Sequence, residues 1–462
     1  MNVSVLILAA GLGKRMKSKK PKVLQSLAQK PLIYHVLKTL EKIDVNQIHV
    51  IYGHLAEILK KEVENFDLKT AQTINWILQK ERLGTGHAVK MALDDIKQDE
   101  KILILYGDVP LISDQTLEKL IDKANKNTIS MLTADVKSPF GLGRILRNEK
   151  DEIIGIVEEK DATDSERNIT EINSGIYCIE GEILHQLLPK ISNNNAQGEY
   201  YLTDIIAMAK NQNIQIRSVK PNNLFEITGV NSRNELANLE RIWQKYQAEK
   251  LMNEGVSFAD PNRIDIRGDV LIGEDSFVDV NVIFEGKVKI GNNCIIGANC
   301  ILKDVELKDH VIIKPNSMLE DTIVESKAEI GPFARIRPGT KLSQGVKVGN
   351  FVELKKAVID EGSKINHLSY IGDAVVGKEV NIGAGVITCN YDGANKYQTT
   401  IEDEVFVGSD SQLIAPVTLE KGAYIASGST ITKKAPQGQL TINRSNRQIT
   451  LPAWQRPVKK DK

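Results

Sequence analysis

Several patterns that mark particular classes of protein are scarce or missing in this sequence. Its 462 residues include only four cysteines, Cys178, Cys294, Cys300 and Cys389, with no C-x-x-C spacing among them. Neither a zinc site nor a disulfide framework is therefore indicated, and we expect free, packed thiols. Lysine plus arginine and aspartate plus glutamate both number 60. Zero net charge gives no support for a chain-wide nucleic-acid footprint.

Long apolar runs and targeting signals are missing as well. No apolar stretch approaches the length of a membrane span. The N-terminus passes directly into an apolar strand pattern, without the charged region and cleavage site of a secretory signal. We therefore expect a cytoplasmic protein that has neither a membrane nor a nucleic acid as its partner.

The second half of the chain carries an apolar residue at every sixth position. The first run is Ile266, Ile272, Val278, Phe284, Ile290, Ile296 and Leu302. Further runs cover 307–319, 324–354, 359–371, 376–382 and 401–431, separated by four one-residue shortenings and one insertion around 389–397. Neither an α-helix nor a flat strand has this period. It is typical of a β-helix, in which each face of a three-sided coil turns one apolar side chain inward.

This repeat resembles the left-handed parallel β-helix of the hexapeptide-repeat acyltransferases. The resemblance implies the handedness, and it implies a homotrimer with active sites between neighbouring prisms. Glycine follows the apolar position repeatedly, and we expect a tight corner with positive φ at these points. The glycines concerned are Gly273, Gly291, Gly297, Gly331, Gly349, Gly372, Gly383 and Gly408.

The first half of the chain alternates short apolar runs with helical patterns. Strands are predicted at 3–9, 48–52, 101–106 and 129–134, and helices at 31–42, 87–96 and 115–124. This alternation predicts an open α/β domain with a mostly parallel sheet. A capping-box pattern, Ser232-Arg233-Asn234-Glu235, then begins a helical stretch. We therefore predict an open α/β domain at 1–231, a connector helix at 232–254, and an all-β coil with a C-terminal tail at 255–462.

A glycine-containing loop follows the first predicted strand. It is Leu8-Ala9-Ala10-Gly11-Leu12-Gly13-Lys14-Arg15-Met16, and the pattern continues to Pro21-Lys22. Backbone N–H groups can approach a phosphate there because glycine has no side chain to intervene. Neither the Walker A motif nor the dinucleotide fingerprint fits. The complete pattern resembles the signature of sugar-1-phosphate nucleotidyltransferases, and this resemblance implies a Rossmann-like nucleotidyltransferase domain.

The same resemblance assigns a set of binding residues. UTP and the UDP-sugar would be bound by Leu8, Ala9, Ala10, Gly11, Lys22, Gln79, Gly84, Thr85, Tyr106, Gly107, Asp108, Gly143, Glu158, Asn173 and Asn231. Asp108 and Asn231 would also hold Mg²⁺, a hard cation that prefers oxygen ligands. Lys22 and Arg15 would neutralise charge in the transition state. No side-chain nucleophile is required, because the sugar phosphate attacks the nucleotide directly.

Polar residues gather late in the coil, where the insertion around 389–397 interrupts the repeat. This stretch resembles, nearly residue for residue, the acetyltransferase domain of the bacterial bifunctional uridylyltransferase/acetyltransferases. A free amine must attack a thioester in that reaction, so a neutral imidazole is the expected base, and His367 is the candidate. The resemblance assigns substrate binding to Arg337, Lys355, Tyr370, Asn381 and Lys396, and acetyl-CoA binding to Ala384, Asn390, Tyr391, Ser409, Ser427 and Arg444.

Together the two resemblances cover almost the whole chain. They imply that glucosamine-1-phosphate is acetylated from acetyl-CoA and then joined to UMP from UTP. The product would be UDP-N-acetylglucosamine, a precursor of peptidoglycan and lipopolysaccharide. The alternative is a single-activity sugar-1-phosphate nucleotidyltransferase whose β-helix serves assembly or regulation. A non-catalytic scaffold would leave the paired signatures unexplained.

Overall fold

The computed structural model describes residues 2–11, 13–53 and 56–443. The chain divides into two compact units, Met1–Glu240 and Arg241–Lys462. This division falls inside the helix Arg233–Asn253, the segment that the sequence predicts as a connector. Within the described ranges, no helix is both long and apolar enough to cross a membrane.

A nine-stranded sheet forms the centre of the first unit. Its strands are β1 (Val3–Ala9), β2 (Gln47–Tyr52), β3 (Ile74–Leu78), β4 (Lys101–Tyr106), β5 (Thr128–Asp135), β6 (Arg144–Arg147), β7 (Ile153–Val157), β8 (Glu171–Glu180) and β9 (Gln215–Val219). The order across the sheet is β9-β5-β8-β4-β1-β2-β3, and β6 pairs with β8 and β7. Strands β4, β1, β2 and β3 run parallel, whereas β8 is antiparallel to β4 and β5. The predicted α/β class is confirmed.

Helices pack on both faces of this sheet. The α-helices are Leu32–Leu40, Ala56–Glu64, Lys69–Gln72, Thr85–Lys90, Asp114–Lys123, Asp164–Arg167, Gly181–Leu187 and Asp204–Asn211. Short 3₁₀ turns lie at Lys14–Met16, Lys22–Leu24, Leu93–Asp95, Leu188–Lys190 and Leu224–Ile227, and a small hairpin pairs Ser26–Leu27 with Lys30–Pro31. Strand β1 is buried along its whole length, as expected of a central parallel strand. Alternate β1 residues therefore enter two separate apolar clusters.

One predicted helix of this unit is wrong in extent. The helical pattern at 87–96 forms the α-helix Thr85–Lys90, followed after a short break by the 3₁₀ turn Leu93–Asp95. The apolar side chains still face inward, since Val89, Ala92 and Ile96 are buried. The hydrophobic period therefore persists while the hydrogen-bonding pattern changes.

The second unit is a parallel β-helix formed by two long sheets. One sheet contains Ser257–Phe258, Phe277–Val278, Ile295–Ile296, Ile312–Ile313, Glu329–Ile330, Lys347–Asn350, Lys364–His367, Asn381–Ile382, Phe406–Val407, Tyr424–Ile425 and Leu440–Thr441. The other contains Ile264–Ile272, Val282–Ile290, Ile301–Leu307, Met318–Val324, Arg335–Ile336, Thr340–Leu342, Glu353–Ile359, Tyr370–Val376, Ile387–Cys389, Thr399–Ile401, Gln412–Ile414, Val417–Leu419 and Thr430–Ile431. The long strands of this second sheet each carry two of the three apolar positions of a coil.

The strand register reproduces the arithmetic of the repeat. Ile266 pairs with Phe284, the apolar residue three full steps further along the first run. Ile296 pairs with Ile313, one residue short of three full steps, where the sequence shows a shortened step. Ile382 pairs with Val407, and this longer step spans the insertion. All seven apolar residues of the first run are buried, and burial of each such side chain contributes about 1.5–3 kcal/mol.

The prediction that the repeated glycines adopt a positive φ is wrong at seven of the eight positions. Only Gly331 has a positive φ, and left-handed backbone occurs instead at Asn and Asp, including Asp275, Asn293 and Asp410, and at glycines outside this set. The glycines are required for close approach. A Cβ on Gly297 would lie 2.7 Å from the backbone nitrogen of Pro315 in the next coil. A Cβ on Gly349 would overlap the carbonyl oxygen of Asn366.

The helix Arg233–Asn253 supplies a cap for the first long strand of the coil. Gln244 is almost fully buried. Its side-chain amide donates to the carbonyl oxygen of Ile266 at 2.9 Å and accepts the N–H of Ile266 at 2.6 Å. The ion pair between Arg241 and Asp265 lies beside it, with an N–O distance of 2.5 Å. Two backbone groups at the free edge of the sheet are therefore satisfied by one side chain.

The four thiols are unpaired, as predicted. Burial raises the pKa of Cys178 to about 12 and that of Cys300 to about 11. Across the described residues, no group of three or more His, Cys, Asp or Glu side chains is arranged to hold a metal. The buried thiols of Cys178, Cys294 and Cys300 pack as small apolar side chains.

Candidate active sites

A cleft of about 390 Å³ opens at the carboxyl ends of β1 and β4. Eleven of the fifteen predicted nucleotide and sugar residues line it: Leu8, Ala9, Ala10, Gly11, Lys22, Gln79, Gly84, Thr85, Tyr106, Asp108 and Asn231. Val23, Arg82, Ala88 and Glu199 line it too, and sequence reasoning missed them. Carboxyl ends of parallel strands are the usual ligand edge of such sheets. The cleft is therefore where that topology places a ligand.

The side chains of Asp108 and Asn231 both contact the ammonium group of Lys22. The Lys22 ammonium donates to Asn231 Oδ1 at 3.0 Å and forms an ion pair with Asp108. The N–H of Val230 donates to the carbonyl oxygen of Asp108 at 3.0 Å, which joins the two segments. The oxygens of Asp108 and Asn231 thus already converge on a positive charge. A carboxylate and an amide oxygen are hard ligands suited to Mg²⁺, so these residues fit that ion.

Glu235 holds the backbone of Asn231, and sequence reasoning missed this role. The predicted capping box forms only in part, because the N–H of Glu235 donates to Ser232 Oγ at 3.2 Å. The Glu235 carboxylate accepts the N–H of Asn231 at 2.7 Å instead of that of Ser232. The first turn of the helix Arg233–Asn253 therefore fixes the candidate metal ligand.

The segment from Gln79 to Thr85 forms one wall of the cleft. Gln79 is buried, and its Nε2 lies 3.4 Å from the carbonyl oxygen of Gly84 and 3.1 Å from Nδ1 of His87. Gly84 has φ +111°, and a Cβ there would overlap the carbonyl oxygen of Tyr200. Only glycine fits this position. The amide nitrogen of Gln79 is therefore engaged within the protein, and its Oε1 is the atom suited to a ligand donor.

Three of the four remaining predicted sugar residues form a second cluster. Asn173 donates its N–H to the carbonyl oxygen of Gly143 at 2.9 Å. A Cβ on Gly143 would lie 3.5 Å from both carboxylate oxygens of Glu158. Glu158 Oε1 accepts a hydrogen bond from Thr203 Oγ1 at 3.1 Å, and burial raises the pKa of this carboxyl. Thr203 is a further residue that sequence reasoning missed.

Tyr106 connects this second cluster to the cleft, because its pKa responds to a charge in each. Burial raises the pKa of Tyr106, and the nearby charges of Asp108 and Glu158 raise it further. The N–H of Gly107, the fourth remaining residue, donates to the carbonyl oxygen of Leu8 at 3.0 Å, which fixes the turn after β4. The side chain of Asn173 is engaged internally, since it donates to the Tyr177 hydroxyl at 2.7 Å.

In the second unit, one corner of successive coils carries five residues in a column. Four backbone hydrogen bonds of 2.7–3.4 Å define it, in which Leu368, Gly385, Asp410 and Gly428 donate to the carbonyl oxygens of Asn350, His367, Ala384 and Ser409. The column is Asn350, His367, Ala384, Ser409 and Ser427. The candidate base and three of the predicted acetyl-CoA residues are therefore brought together along one edge.

His367 is exposed at this corner, at the end of the strand Lys364–His367. Asn350 is its neighbour in the strand register, and Asn350 Oδ1 lies 3.2 Å from Nδ1 of His367. An amide oxygen only accepts, so this contact favours the tautomer protonated on Nδ1. Nε2 is then the basic nitrogen. Asn350 is a positioning residue that sequence reasoning missed.

A cluster of cationic side chains follows the corner. Lys355 and Lys396 are close enough that Lys396 lowers the pKa of Lys355, with burial acting in the same direction. Asp373 Oδ2 lies 3.9 Å from Lys355 Nζ and accepts a hydrogen bond from Asn390. Two neighbouring ammonium groups with one partly compensating carboxylate form a site suited to an anion.

The other predicted substrate residues lie on both sides of the corner. Arg337 Nη1 donates to Glu353 Oε1 at 2.7 Å, and Tyr370 follows Glu353 in the register of the same sheet. Asn381 lies on the sheet that carries His367, opposite Lys364. Arg444 lies outside the residues that the structure describes.

The insertion forms an ordered turn beside the cationic cluster. Asp392 Oδ1 accepts the N–H groups of Ala394 and Asn395 at 2.8 and 2.7 Å, which closes the turn. The backbones of Tyr391 and Lys396 form an isolated antiparallel β-bridge, and Tyr391 is 58% exposed. The insertion therefore brings Lys396 to Lys355 while it leaves an aromatic ring in solvent.

Comparison with known proteins places both units in one family. Residues 5–160 match the MobA-like NTP transferase domain, and residues 266–343 and 318–439 match the GMPPB C-terminal domain. A solved structure of UDP-glucose pyrophosphorylase complexed with UDP-glucose covers 53% of this chain and 100% of its own, at 18% identity and a TM-score of 0.44. The Bifunctional protein GlmU of Nitrosospira multiformis is 52% identical over 100% of this chain and 99% of its own length, and that of Marinobacter nauticus is 50% identical over 98% and 99%. Identity at this level over the whole length shows that the chain belongs to the GlmU family.

Proposed function

We propose that this chain is a bifunctional enzyme of UDP-N-acetylglucosamine synthesis. The second unit acetylates glucosamine-1-phosphate with acetyl-CoA, and the first unit then transfers UMP from UTP to N-acetylglucosamine-1-phosphate and releases pyrophosphate. The observation that carries this proposal is full-length similarity to bifunctional relatives, combined with a separate cluster of the expected residues in each unit.

In the first unit, the reaction requires two anions to approach each other. Mg²⁺ bound by Asp108 and Asn231 would neutralise phosphate charge and orient the reacting groups. The Lys22 ammonium lies beside Asp108 and Asn231, so it can transfer its hydrogen bonds to the oxygens of a phosphate bound there. Gly11 allows the nucleotide to approach the backbone. Glu158 and Asn173 would bind the sugar, with Thr203 holding the carboxylate of Glu158.

In the second unit, His367 accepts a proton from the attacking amine. The amine forms a bond to the thioester carbon, and the carbon–sulfur bond of acetyl-CoA breaks with its electron pair leaving on the coenzyme A sulfur. The proton removed from nitrogen passes to Nε2, from which the coenzyme A thiolate can take it up. Asn350 supports this step by holding Nδ1–H. Lys355, Lys396 and Arg337 would bind the sugar phosphate. The column Ala384, Ser409 and Ser427 offers the adjacent edge to acetyl-CoA, and Arg444 remains a predicted contact.

A homotrimer remains part of the proposal. Several apolar side chains point outward from the coil, including Met318, Ile323, Val358, Val375 and Ile387, each at least 37% exposed. An apolar outer surface of this kind favours association between copies. Light scattering coupled to gel filtration tests it, and a mass three times that of one chain is expected.

A product assay tests the two activities together. The purified protein receives glucosamine-1-phosphate, acetyl-CoA, UTP and Mg²⁺, with each omitted in turn. Among these mixtures, only the complete one should yield UDP-N-acetylglucosamine. In a separate mixture, N-acetylglucosamine-1-phosphate should substitute for glucosamine-1-phosphate and acetyl-CoA together. A UDP-sugar formed only from a sugar phosphate that is already acetylated, with no acetyl transfer in any mixture, would support the single-activity alternative.

A further inference from the structure

Arg82 occupies the nucleotide cleft although neither the sequence patterns nor the family resemblance assigns it a role. It lies between Gln79 and Gly84 and lines the same cavity. A Cβ on Gly53 would lie 3.1 Å from both Arg82 Nη2 and the carbonyl oxygen of Ala10. The guanidinium therefore packs against the backbone of Gly53, beside the loop that follows β1.

The Arg82 side chain has a buried donor without a partner. Among the described residues, Nε of Arg82 is buried and makes no hydrogen bond. No carboxylate in the described ranges lies within 4.0 Å of its guanidinium nitrogens, the distance that defines an ion pair. A guanidinium has only donors, and buried donors are nearly always paired in folded proteins. Because Arg82 lines the cleft, a ligand bound there can supply the acceptor that its guanidinium lacks.

The neighbouring Gln79 indicates which kind of acceptor this is. Its amide nitrogen is engaged with Gly84 and His87, which leaves Oε1 to accept from a ligand N–H. Uracil offers an N3–H flanked by two carbonyl oxygens. Gln79 Oε1 can accept that N–H while an N–H of Arg82 donates to an adjacent carbonyl. Cytosine has no N3–H and carries an amino donor at C4, so it matches this pair poorly.

We infer that Arg82 is a base-recognising residue that donates to a carbonyl oxygen of uracil and favours UTP over CTP. This inference rests on the proposed function, because it takes UTP as the substrate of the cleft. It adds a charged hydrogen bond to the recognition expected from Gln79 and from the backbone of Gly84 and Thr85. Hydrogen bonds from a charged donor are among the stronger ones in proteins.

Isothermal titration of the full-length protein with UTP, UMP and CTP in Mg²⁺ tests the inference. Arg82→Met keeps the apolar stem and removes every donor. We expect this variant to bind UTP about 10- to 100-fold more weakly. UMP should lose affinity by the same factor, because the contact is to the base. The preference for UTP over CTP should fall about tenfold. Arg82→Gln, which retains an amide donor, should recover part of both losses.

Lys80→Met is the matched control, because Lys80 is a nearby exposed cation that does not line the cleft. It should bind all three nucleotides as the unaltered protein does. Acetyl transfer and the unfolding temperature of the Arg82 variants should be unchanged, which separates lost binding from lost folding. Equal UTP affinity in Arg82→Met and the unaltered protein would overturn the inference. A loss for UTP but not for UMP would overturn it in favour of a phosphate contact. Failure of the unaltered protein to bind UTP would instead overturn the proposed function.

Discussion

The cleft of the first unit and the corner column of the second are built in opposite ways. The cleft collects side chains from segments far apart in the chain, such as Lys22, Asp108 and Asn231, which meet because strand ends converge at one edge of the sheet. The column collects residues that follow one another by about one coil, from Asn350 to Ser427. In the first unit the topology determines which residues meet, whereas in the second the repeat length does. A change to the chemistry of one unit should therefore leave the other unaffected.

The largest expected effect is that of Asp108→Asn. The change removes the negative charge that holds the cation, so Mg²⁺-dependent release of pyrophosphate should fall about 1,000-fold or more. Acetyl transfer should persist. A coupled pyrophosphate assay and a thiol assay for coenzyme A measure the two reactions. Asp114→Asn, at the half-buried start of a neighbouring helix, is the control and should retain both activities. Unchanged metal dependence in Asp108→Asn would count against Asp108 as a ligand.

His367→Ala should produce the converse result. Loss of a general base should slow acetyl transfer by roughly 10²- to 10³-fold and leave uridylyl transfer nearly intact. The same pair of assays measures this. His310→Asn, at another exposed corner of the coil, should have no effect on either reaction. Equal loss of both activities in His367→Ala would contradict the separation of the two sites.

A third prediction concerns the acid stability of the first unit. Burial raises the pKa of Glu171, but hydrogen bonds from Arg147, Lys220 and Thr133 outweigh it and lower that pKa to about 2. A carboxyl with a lowered pKa stabilises the folded state above its unfolded pKa of 4.5. This stabilisation, about 3 kcal/mol, is lost as the pH falls from 4.5 through 2.

Glu171→Gln should therefore reduce the free energy of unfolding of the first unit by about 3 kcal/mol at pH 7. The difference from the unaltered protein should shrink below pH 4.5. Hydrogen exchange with peptide resolution, followed from neutral to acidic pH, reports on each unit separately. Asp164→Asn is the control, because Asp164 is fully exposed in its pair with Arg167 and should contribute little to stability. An effect of Glu171→Gln that did not change with pH would exclude the ionised carboxylate as its cause.

The smallest effect tests the close packing of the coils. Gly349→Ala would place a Cβ against the carbonyl oxygen of Asn366 and should destabilise the second unit by about 1–3 kcal/mol. Gly155→Ala in the first unit has its nearest neighbours at 3.9 Å and no positive φ, so it should be neutral or slightly stabilising. Hydrogen exchange of the two units measures both variants. Equal effects would show that close approach is not what requires glycine in the coil.

The sequence predicted the coil well because its period records the register directly. The burial of Ile266 to Leu302 and the long step from Ile382 to Val407 both follow from counting. It predicted the wrong role for the glycines. A glycine in a repeat can be required either for a positive φ or for close approach of another part of the chain, and the sequence does not distinguish the two. For most of these glycines, the contact that decides the matter is made with the next coil rather than with a neighbour in the sequence.

The residues of the first cleft could be predicted only where a motif contains them. Lys22, Asp108 and Asn231 were predicted because the resemblance carried them, and the structure places them in contact. Glu235 and Thr203 act on predicted site residues through contacts that local sequence does not encode. Arg82 lies in the segment between Gln79 and Gly84, yet nothing in its spacing distinguishes a cleft residue from an exposed one. Only its position in the lining of the cleft does so.

The contact between Gln244 and Ile266 limits how far the coil can extend. A β-helix ends in an open strand edge, and such an edge can recruit further strands from another molecule. Here the amide of Gln244 occupies the N–H and carbonyl oxygen of Ile266 that an incoming strand would need. The helix therefore blocks the addition of a strand at this edge and so opposes end-to-end polymerisation. Additional coils inserted in the middle of the repeat would leave this end closed.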